Sequence, residues 1–507
     1  MYKKNVPSKL VPMNERIPEN VIFVVNTLKS AGYEAYLVGG CVRDMMLHKD
    51  PKDWDVTTNA HPEKIIEVFE KTDRRVVYEN NFGTVAIINK DLPFEDNSYS
   101  IEVTPYRTEL GYSDFRRPDS VEFALHINDD LSRRDFTVNA LAFDTSTGTF
   151  VDNFNGLSDL ENKILRTVGE PDERFQEDAL RIMRAIRFAA QLGYTIEENT
   201  FAALRKNAHL LKHVSQERIR DEFLKIIDAQ FAFDAVVSME KLGILEIIIP
   251  EFKEGIGCEQ GGAHSFDVWT HLLKTFEHAS AKNFPLHVKI AALFHDIGKP
   301  RTRRKSEVVG KKEWTFYGHE VVGAKMTKEI MQRLKFPKVL SEKVEKLVRY
   351  HMFFSDPENI TLSAARRMVA NVGKELIWDL MDLRACDRIG TGRPKDKPYR
   401  LRKYHAMLEE VLRDPVSVGM LKINGDIMLK EMGMKASPRI GWILHALLEE
   451  VLDDPNKNNF EYLQKRTIEL NTLENEELKI IGEAGKSKKE EVDFQEVKAL
   501  HKKHHVD

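Results

Sequence analysis

The chain is poor in cysteine, with only Cys41, Cys258 and Cys386 among 507 residues. They are far apart and odd in number, so they form neither a zinc-ligand pattern nor a disulfide framework. That excludes a disulfide-stapled secreted scaffold and fits a cytoplasmic protein with reduced thiols. Long hydrophobic runs are missing too. No stretch of eighteen apolar residues occurs, so no membrane span is expected. The opening MYKKNVPSKLVPMNERIPEN lacks the apolar core of a signal peptide. Nor does one sign of charge dominate: 76 Lys and Arg against 80 Asp and Glu leave a net charge of -4. A wholly basic nucleic-acid binder is thereby excluded, and contacts to phosphate must come from local patches. Arg301 to Lys312 (RTRRKSEVVGKK) and Lys395 to Lys403 are two such patches, although each also reads as a solvated loop. No internal repeat is found.

Apolar residues make up 42% of the chain, enough for ordinary globular cores. Its length is too great for one core and suggests roughly three or four domains. Residues 1–20 read as an irregular leader. From 21 to 165 strand and helix signals alternate: EAYLVGG is a strand and glycine turn, Cys41 to Leu47 starts a helix, and Asp55 to Thr57 is a short strand. Pro62 to Glu70 is a helix with proline in its first turn, and GTVAIIN and SIEVTPY are strands. An α/β head with one mixed sheet is expected there. Beyond it strand signals nearly vanish. QEDALRIMRAIRFAAQL and FAALRKNAHLLKHV have helical periodicity and belong to a helical neck over 166–254. Pro250 and the glycines at 255, 257, 261 and 262 mark a boundary. A second helical block spans 255–395, a third 396–474, and a Glu- and Lys-rich tail 475–507, in which KEEVDFQEVKALHKK has helical character.

The stretch LVGGCVRDMMLHKDPKDWDVTT carries chemistry. Asp53 and Asp55 flank Trp54, and residues two apart on a strand face the same side. Two carboxylates on one face beside a glycine turn can hold a pair of divalent ions, and magnesium suits carboxylate and phosphate oxygens. Two metals would stabilise the attacking and leaving oxygens of an in-line phosphoryl transfer. Gly39 and Gly40 would let backbone N–H groups approach a triphosphate, and Arg43 adds positive charge at the helix start. Taken alone, D-x-D also describes an exposed acidic turn. Its surroundings matter more.

GGCVRD with D-W-D, then SRRDFTVNALAFD, then ERFQEDALRIMRAIRFAA resembles the class II, bacterial-type CCA-adding tRNA nucleotidyltransferases and their relatives the bacterial poly(A) polymerases. The resemblance covers residues 36 to about 250 in the family's order. YSDFRRPDSVEF (112–123) is similar to the family's flexible loop, and GMLKINGDIMLKEMGMKASPRIGWILHALLEEV (419–451) to its C-terminal tRNA-contacting region. The resemblance implies template-independent addition of CCA to the 3′ end of tRNA from CTP and ATP. It implies that Asp53 and Asp55 are catalytic and bind magnesium, and that Gly40, Arg43 and Arg134 contact the nucleotide. Asp178, Arg181, Arg184 and Arg187 match the helix that reads the base and holds the triphosphate. Glu102, on the SIEVT strand, is either a third carboxylate or an outward strand residue.

Base choice without a template then follows from hydrogen-bond chemistry. An ionised Asp178 only accepts and Arg181 only donates. Three apart on an expected helix, they would share one face. Cytosine and adenine each present an amine donor beside a ring-nitrogen acceptor and would satisfy the pair. Uracil and guanine present the reverse and would set donor against donor, a mismatch worth several kcal/mol. Arg184 and Arg187 continue the ridge toward phosphate.

Further on, VWTHLLKTF, LFHDIGKP, YGHEVVGA, RYHMFF and RACDRIG resemble the HD phosphohydrolase superfamily. His271, His295, Asp296 and Asp387 match its core metal set, and His319 and His351 the extra histidines of two-metal members. Lys299 lies nearby. Such ligands suit manganese, nickel, iron or zinc, and the resemblance implies a second, phosphodiesterase or phosphatase activity. The rivals are a poly(A) polymerase, a CC- or A-only enzyme, and, from another class, an HD phosphohydrolase whose head only binds RNA. VVYENNFGTVAII lacks the basic insertion of the polymerase branch, and YSDFRRP weighs against CC-only addition.

Overall fold

The computed structural model describes residues 13–79, 83–111, 120–261, 265–305, 314–353 and 360–483. The first part of the leader, most of the YSDFRRPDSVEF loop and of the Arg301–Lys312 patch, and the end of the tail lie outside the described residues. The chain divides into two compact units that part between Ile248 and Ile249.

The first unit begins with α1 (Glu19–Ser30), which buries Val21, Val24, Val25 and Leu28 at helical spacing. Then come β1 (Ala35–Val38), α2 (Gly40–Met46), β2 (Trp54–Thr58), α3 (Pro62–Phe69), β3 (Arg75–Tyr78), β4 (Val85–Ile88) and β5 (Ser100–Pro105). A separate hairpin, β6 (Arg107–Leu110) and β7 (Ser120–Phe123), precedes α4 (Ile127–Ser132), β8 (Ala142–Asp144), β9 (Thr149–Val151) and α5 (Gly156–Glu161). The seven-stranded sheet has the order β3-β4-β5-β2-β1-β8-β9. Strands β2 and β5 run parallel and the other neighbours antiparallel, giving the expected mixed sheet. One face of the sheet's centre is apolar: Trp54, Val56, Ile101, Val103 and Leu37 stand there in register and are buried, which leaves Asp55 and Glu102 on the opposite face. Helices follow, first α6 (Pro171–Glu177) and α7 (Leu180–Leu192), with Gln216–Ile227 packed against α7.

The second unit is helical. Val268–Ala281 packs against both Leu286–Phe294 and Ile377–Gly390, and His319–Arg333 against Lys338–Tyr350. Beyond them, Leu362–Val372 lies on Tyr399–Val411 and Pro438–Asp453. The buried Arg366 guanidinium ties these three together, donating to Asp414 at 2.7 Å and to the Leu452 carbonyl at 3.1 Å. No described helix is long and apolar enough to cross a membrane.

Candidate active site

In the head, β1 ends at Val38, Gly39 turns the chain with φ +80°, and α2 starts at Gly40. A Cβ on Gly39 would sit 2.9 Å from Arg134 Nη1 and 3.9 Å from Asp55 Oδ2. Glycine is needed there both for the backbone and for this close approach. Asp55 lies in β2 and Asp53 immediately before it, and both face a cleft of about 1030 Å³. Burial and the charge of Asp53 push the Asp55 carboxyl up to about 6, against the pull of Arg134. A buried carboxylate whose ionisation a neighbouring carboxylate opposes is relieved by a divalent cation, so these paired oxygen donors fit magnesium. Glu102 stands in register beside Asp55 on β5 and keeps contact with solvent. Partial burial, then Asp55, Glu79 and Asp53, raise it to about 7.

Around the carboxylates the cleft is basic, with eleven Lys and Arg against five Asp in its lining. Gly40, Arg43, Arg134, Asp178, Arg181, Arg184 and Arg187 all lie there. Arg43 donates to Asn139 at 2.6 Å, Arg134 to the buried Asp130 at 3.1 Å, and Arg187 to Glu222 at 3.1 Å. Arg184 donates through Nε to Asp135 at 2.8 Å. The buried Nε of Arg134 and that of Arg187 have no protein acceptor.

One expectation is corrected. Asp178 and Arg181 do not share a helix. The α6 helix ends at Glu177, Asp178 is extended (φ -133°, ψ 104°), and α7 starts at Leu180. The break has a local cause: the Asp178 carboxylate accepts the Leu180 backbone N–H at 3.0 Å, competing with continuation of the helix. It also takes Arg218 Nη2 at 3.0 Å. Arg181 is held separately, by Glu177 at 2.5 Å and by the carbonyls of Arg174 and Arg133 at 3.2 and 3.0 Å. These contacts leave its Nε–H and one Nη2–H uncommitted. An acceptor and a donor, each fixed by other partners, thus line one cleft without neutralising each other.

In the second unit, His271, His295 and Asp296 form one group of donor atoms within 4.8 Å of each other, and Asp296, His319 and His351 form another. Asp296 belongs to both. Its Oδ2 lies 3.1 Å from His271 Nε2 and 3.3 Å from His295 Nε2, and its Oδ1 lies 3.1 Å from His319 and 3.4 Å from His351. Asp387 Oδ1 is 3.2 Å from His271 Nε2. The Nδ1 atoms of His295, His319 and His351 sit 2.9, 2.7 and 2.7 Å from backbone carbonyls of Ala292, Phe316 and Val348. A proton on each Nδ1 leaves an Nε2 lone pair pointing inward. The Nε2 atoms of His319 and His351 then meet at 3.3 Å with no donor between them. That fits a cation, because a ligating imidazole characteristically gives its other N–H to a carbonyl. Burial would neutralise Asp296, yet Lys299 and His295 hold it well below the usual carboxylate range. Lys299 itself bridges Asp296 at 2.6 Å and Gln260 at 2.7 Å.

Known families match segments of both units. Residues 35–166 match the poly(A) polymerase head domain, 193–256 the probable RNA- and SrmB-binding site of polymerase A, and 261–389 the HD domain. The CCA-adding enzyme of Lactobacillus helveticus is 49% identical over 203 residues, 40% of this chain and 48% of that protein. That of Levilactobacillus brevis is 39% identical over 274 residues, 52% of this chain and 66% of the relative. The structure of the Bacillus stearothermophilus CCA-adding enzyme in complex with CTP superposes with a TM-score of 0.62 at 25% identity, covering 91% of this chain and all of that one. Over part of its length the chain is thus similar to CCA-adding enzymes and to the poly(A) polymerase head domain. It spans about half the length of the first of these curated relatives.

Several cleft residues escaped sequence reasoning. Asp135 and Asn139 sit inside SRRDFTVNALAFD, and Phe188 inside the α7 segment, but nothing in their spacing gives them roles. Arg218 lies forty residues beyond Asp178, in VSQERIRDEFLKI, and no local pattern joins the two.

Proposed function

We propose that the chain is a CTP(ATP):tRNA nucleotidyltransferase that adds CCA to tRNA 3′ ends in the cytoplasm. The carrying observation is that the Asp53–Asp55 pair and the separately anchored Asp178 and Arg181 line one basic cleft. Gly39 and Gly40 bring backbone close to a triphosphate, and Arg43, Arg134, Arg184 and Arg187 offset its charge. Asp53 and Asp55 would hold magnesium, which would supply stabilisation of charge on the reacting phosphate oxygens. The tRNA 3′-hydroxyl oxygen bonds to the α-phosphorus as the bond to pyrophosphate breaks. The Asp178 carboxylate accepts the base amine while Arg181 donates to the ring nitrogen, which admits C and A and rejects U and G. Incubating the protein with tRNA lacking CCA and each nucleotide separately, read at single-nucleotide resolution, tests this. Two C additions with CTP alone, completed by one A with ATP, are expected. A long A tract would instead mean a poly(A) polymerase, and addition of C alone a partial enzyme.

A second reading concerns the other unit. The shared Asp296 and the inward Nε2 atoms favour a two-metal HD phosphohydrolase holding manganese, nickel, iron or zinc through His271, His295, Asp296, His319, His351 and Asp387. Phosphomonoesters and 2′,3′-cyclic phosphates are its expected substrates.

A further inference from the structure

Three guanidinium groups converge on one aromatic ring in the head cleft. The Cζ of Arg187 lies 4.3 Å from the centre of the Phe188 ring, and those of Arg43 and Arg184 each lie 5.3 Å from it. Arg184 and Phe188 are four apart on α7, and Arg43 comes from α2, so the ring joins the glycine-turn helix to the helix that follows Asp178. Phe188 is 6% exposed, and Phe136 meets it edge-on at 5.7 Å, which fixes its plane. Each arginine is further tied by a different partner: Asn139, Asp135 or Glu222.

Like charges this close repel, and water would ordinarily draw such side chains apart. An aromatic face attracts a cation through its quadrupole, and the attraction grows as the site is desolvated. From this geometry we infer that Phe188 is the positioning residue of the triphosphate site: it holds Arg43, Arg184 and Arg187 assembled before the nucleotide arrives. The inference rests on the nucleotidyltransferase reading and adds to it a residue that touches neither metal nor base. Pre-assembly lowers the ordering cost of binding, so Phe188 acts on affinity for the phosphate chain and leaves base choice alone.

The test compares Phe188→Leu, which keeps an apolar side chain without the quadrupole, with Phe188→Tyr, which keeps the ring. In Phe188→Leu the KM for CTP and for ATP should rise together by about tenfold, with kcat within about twofold and selectivity against UTP and GTP unchanged. Pyrophosphate inhibition should weaken by a similar factor, and Phe188→Tyr should restore both. Wild-type KM and pyrophosphate inhibition in Phe188→Leu would overturn the inference, as would an equal defect in Phe188→Tyr or a loss confined to base selectivity. Calorimetric binding of CTP and of cytidine to the same proteins guards against misfolding, since a misfolded head loses both ligands. It also separates the two readings. If the wild type binds CTP in a Phe188-dependent way but extends no tRNA, the assigned reaction fails and the role of Phe188 stands.

Discussion

Asp135 is buried, yet it carries charge. Burial would raise its pKa, but Arg184 and Asn139 hold it down to about 2. A carboxylate whose folded value lies below its unfolded one stabilises the fold above about pH 4, and that contribution fades as pH falls toward 2. A shift of this size corresponds to about 2 kcal/mol. Asp135→Asn should therefore lower the unfolding free energy of the head by about that amount at pH 7 and by almost nothing at pH 2. Urea unfolding across that range reads the difference, and a gap independent of pH would assign the loss to packing. Asp55 has the opposite balance, since burial and the charge of Asp53 disfavour its ionisation. Asp53→Ala or Asp55→Ala should leave fold and tRNA binding intact and lower nucleotide addition by three orders of magnitude or more, about 4 kcal/mol in the barrier. Full addition in either variant with magnesium present would remove the catalytic role assigned here.

Backbone close approach sets the geometry of elements in this chain as much as side-chain chemistry does. Gly298 follows the His295–Asp296 pair, and a Cβ there would press into the His319 carbonyl and the backbone of Gly323. Both belong to the helix His319–Arg333, so a methyl group would push that helix away from His295 and Asp296. Gly298→Ala should cost about 1–3 kcal/mol and release bound metal, while CTP binding in the other unit persists. Elemental analysis and nucleotide titration of one preparation check both parts. Gly39 and Gly40 were legible in the sequence, because LVGG stands beside the D-W-D carboxylates, whereas the packing of Gly298 against another helix has no local signal. Strand and helix alternation in the head was equally legible, since its periodicity is local. The break at Asp178 was not, because the helical pattern runs through it. What ends α6 is a carboxylate drawn to the Leu180 N–H and to Arg218, and Arg218 lies on a helix whose packing against α7 no short-range pattern encodes.

At the scale of the whole molecule, two compact units each hold a centre with its own ligand chemistry. The head offers carboxylate oxygens and guanidinium groups, suited to magnesium and a triphosphate. The other unit offers imidazoles and one carboxylate common to two donor groups, suited to transition metals. This difference makes the two separable by one substitution. A bridging carboxylate offsets charge on both ions and fixes their separation, so no remaining donor replaces it. Asp296→Ala should thus lose bound transition metal and any hydrolysis of phosphomonoesters or 2′,3′-cyclic phosphates together. It should still extend tRNA from CTP and ATP, since Asp53, Asp55, Asp178 and Arg181 all belong to the other unit. Metal analysis with both assays on the same protein decides the matter. A wild type that binds no transition metal and hydrolyses nothing with manganese, nickel, zinc or iron would make the histidine cluster a structural core. Loss of CCA addition in a folded Asp296→Ala protein would show instead that the two centres depend on each other.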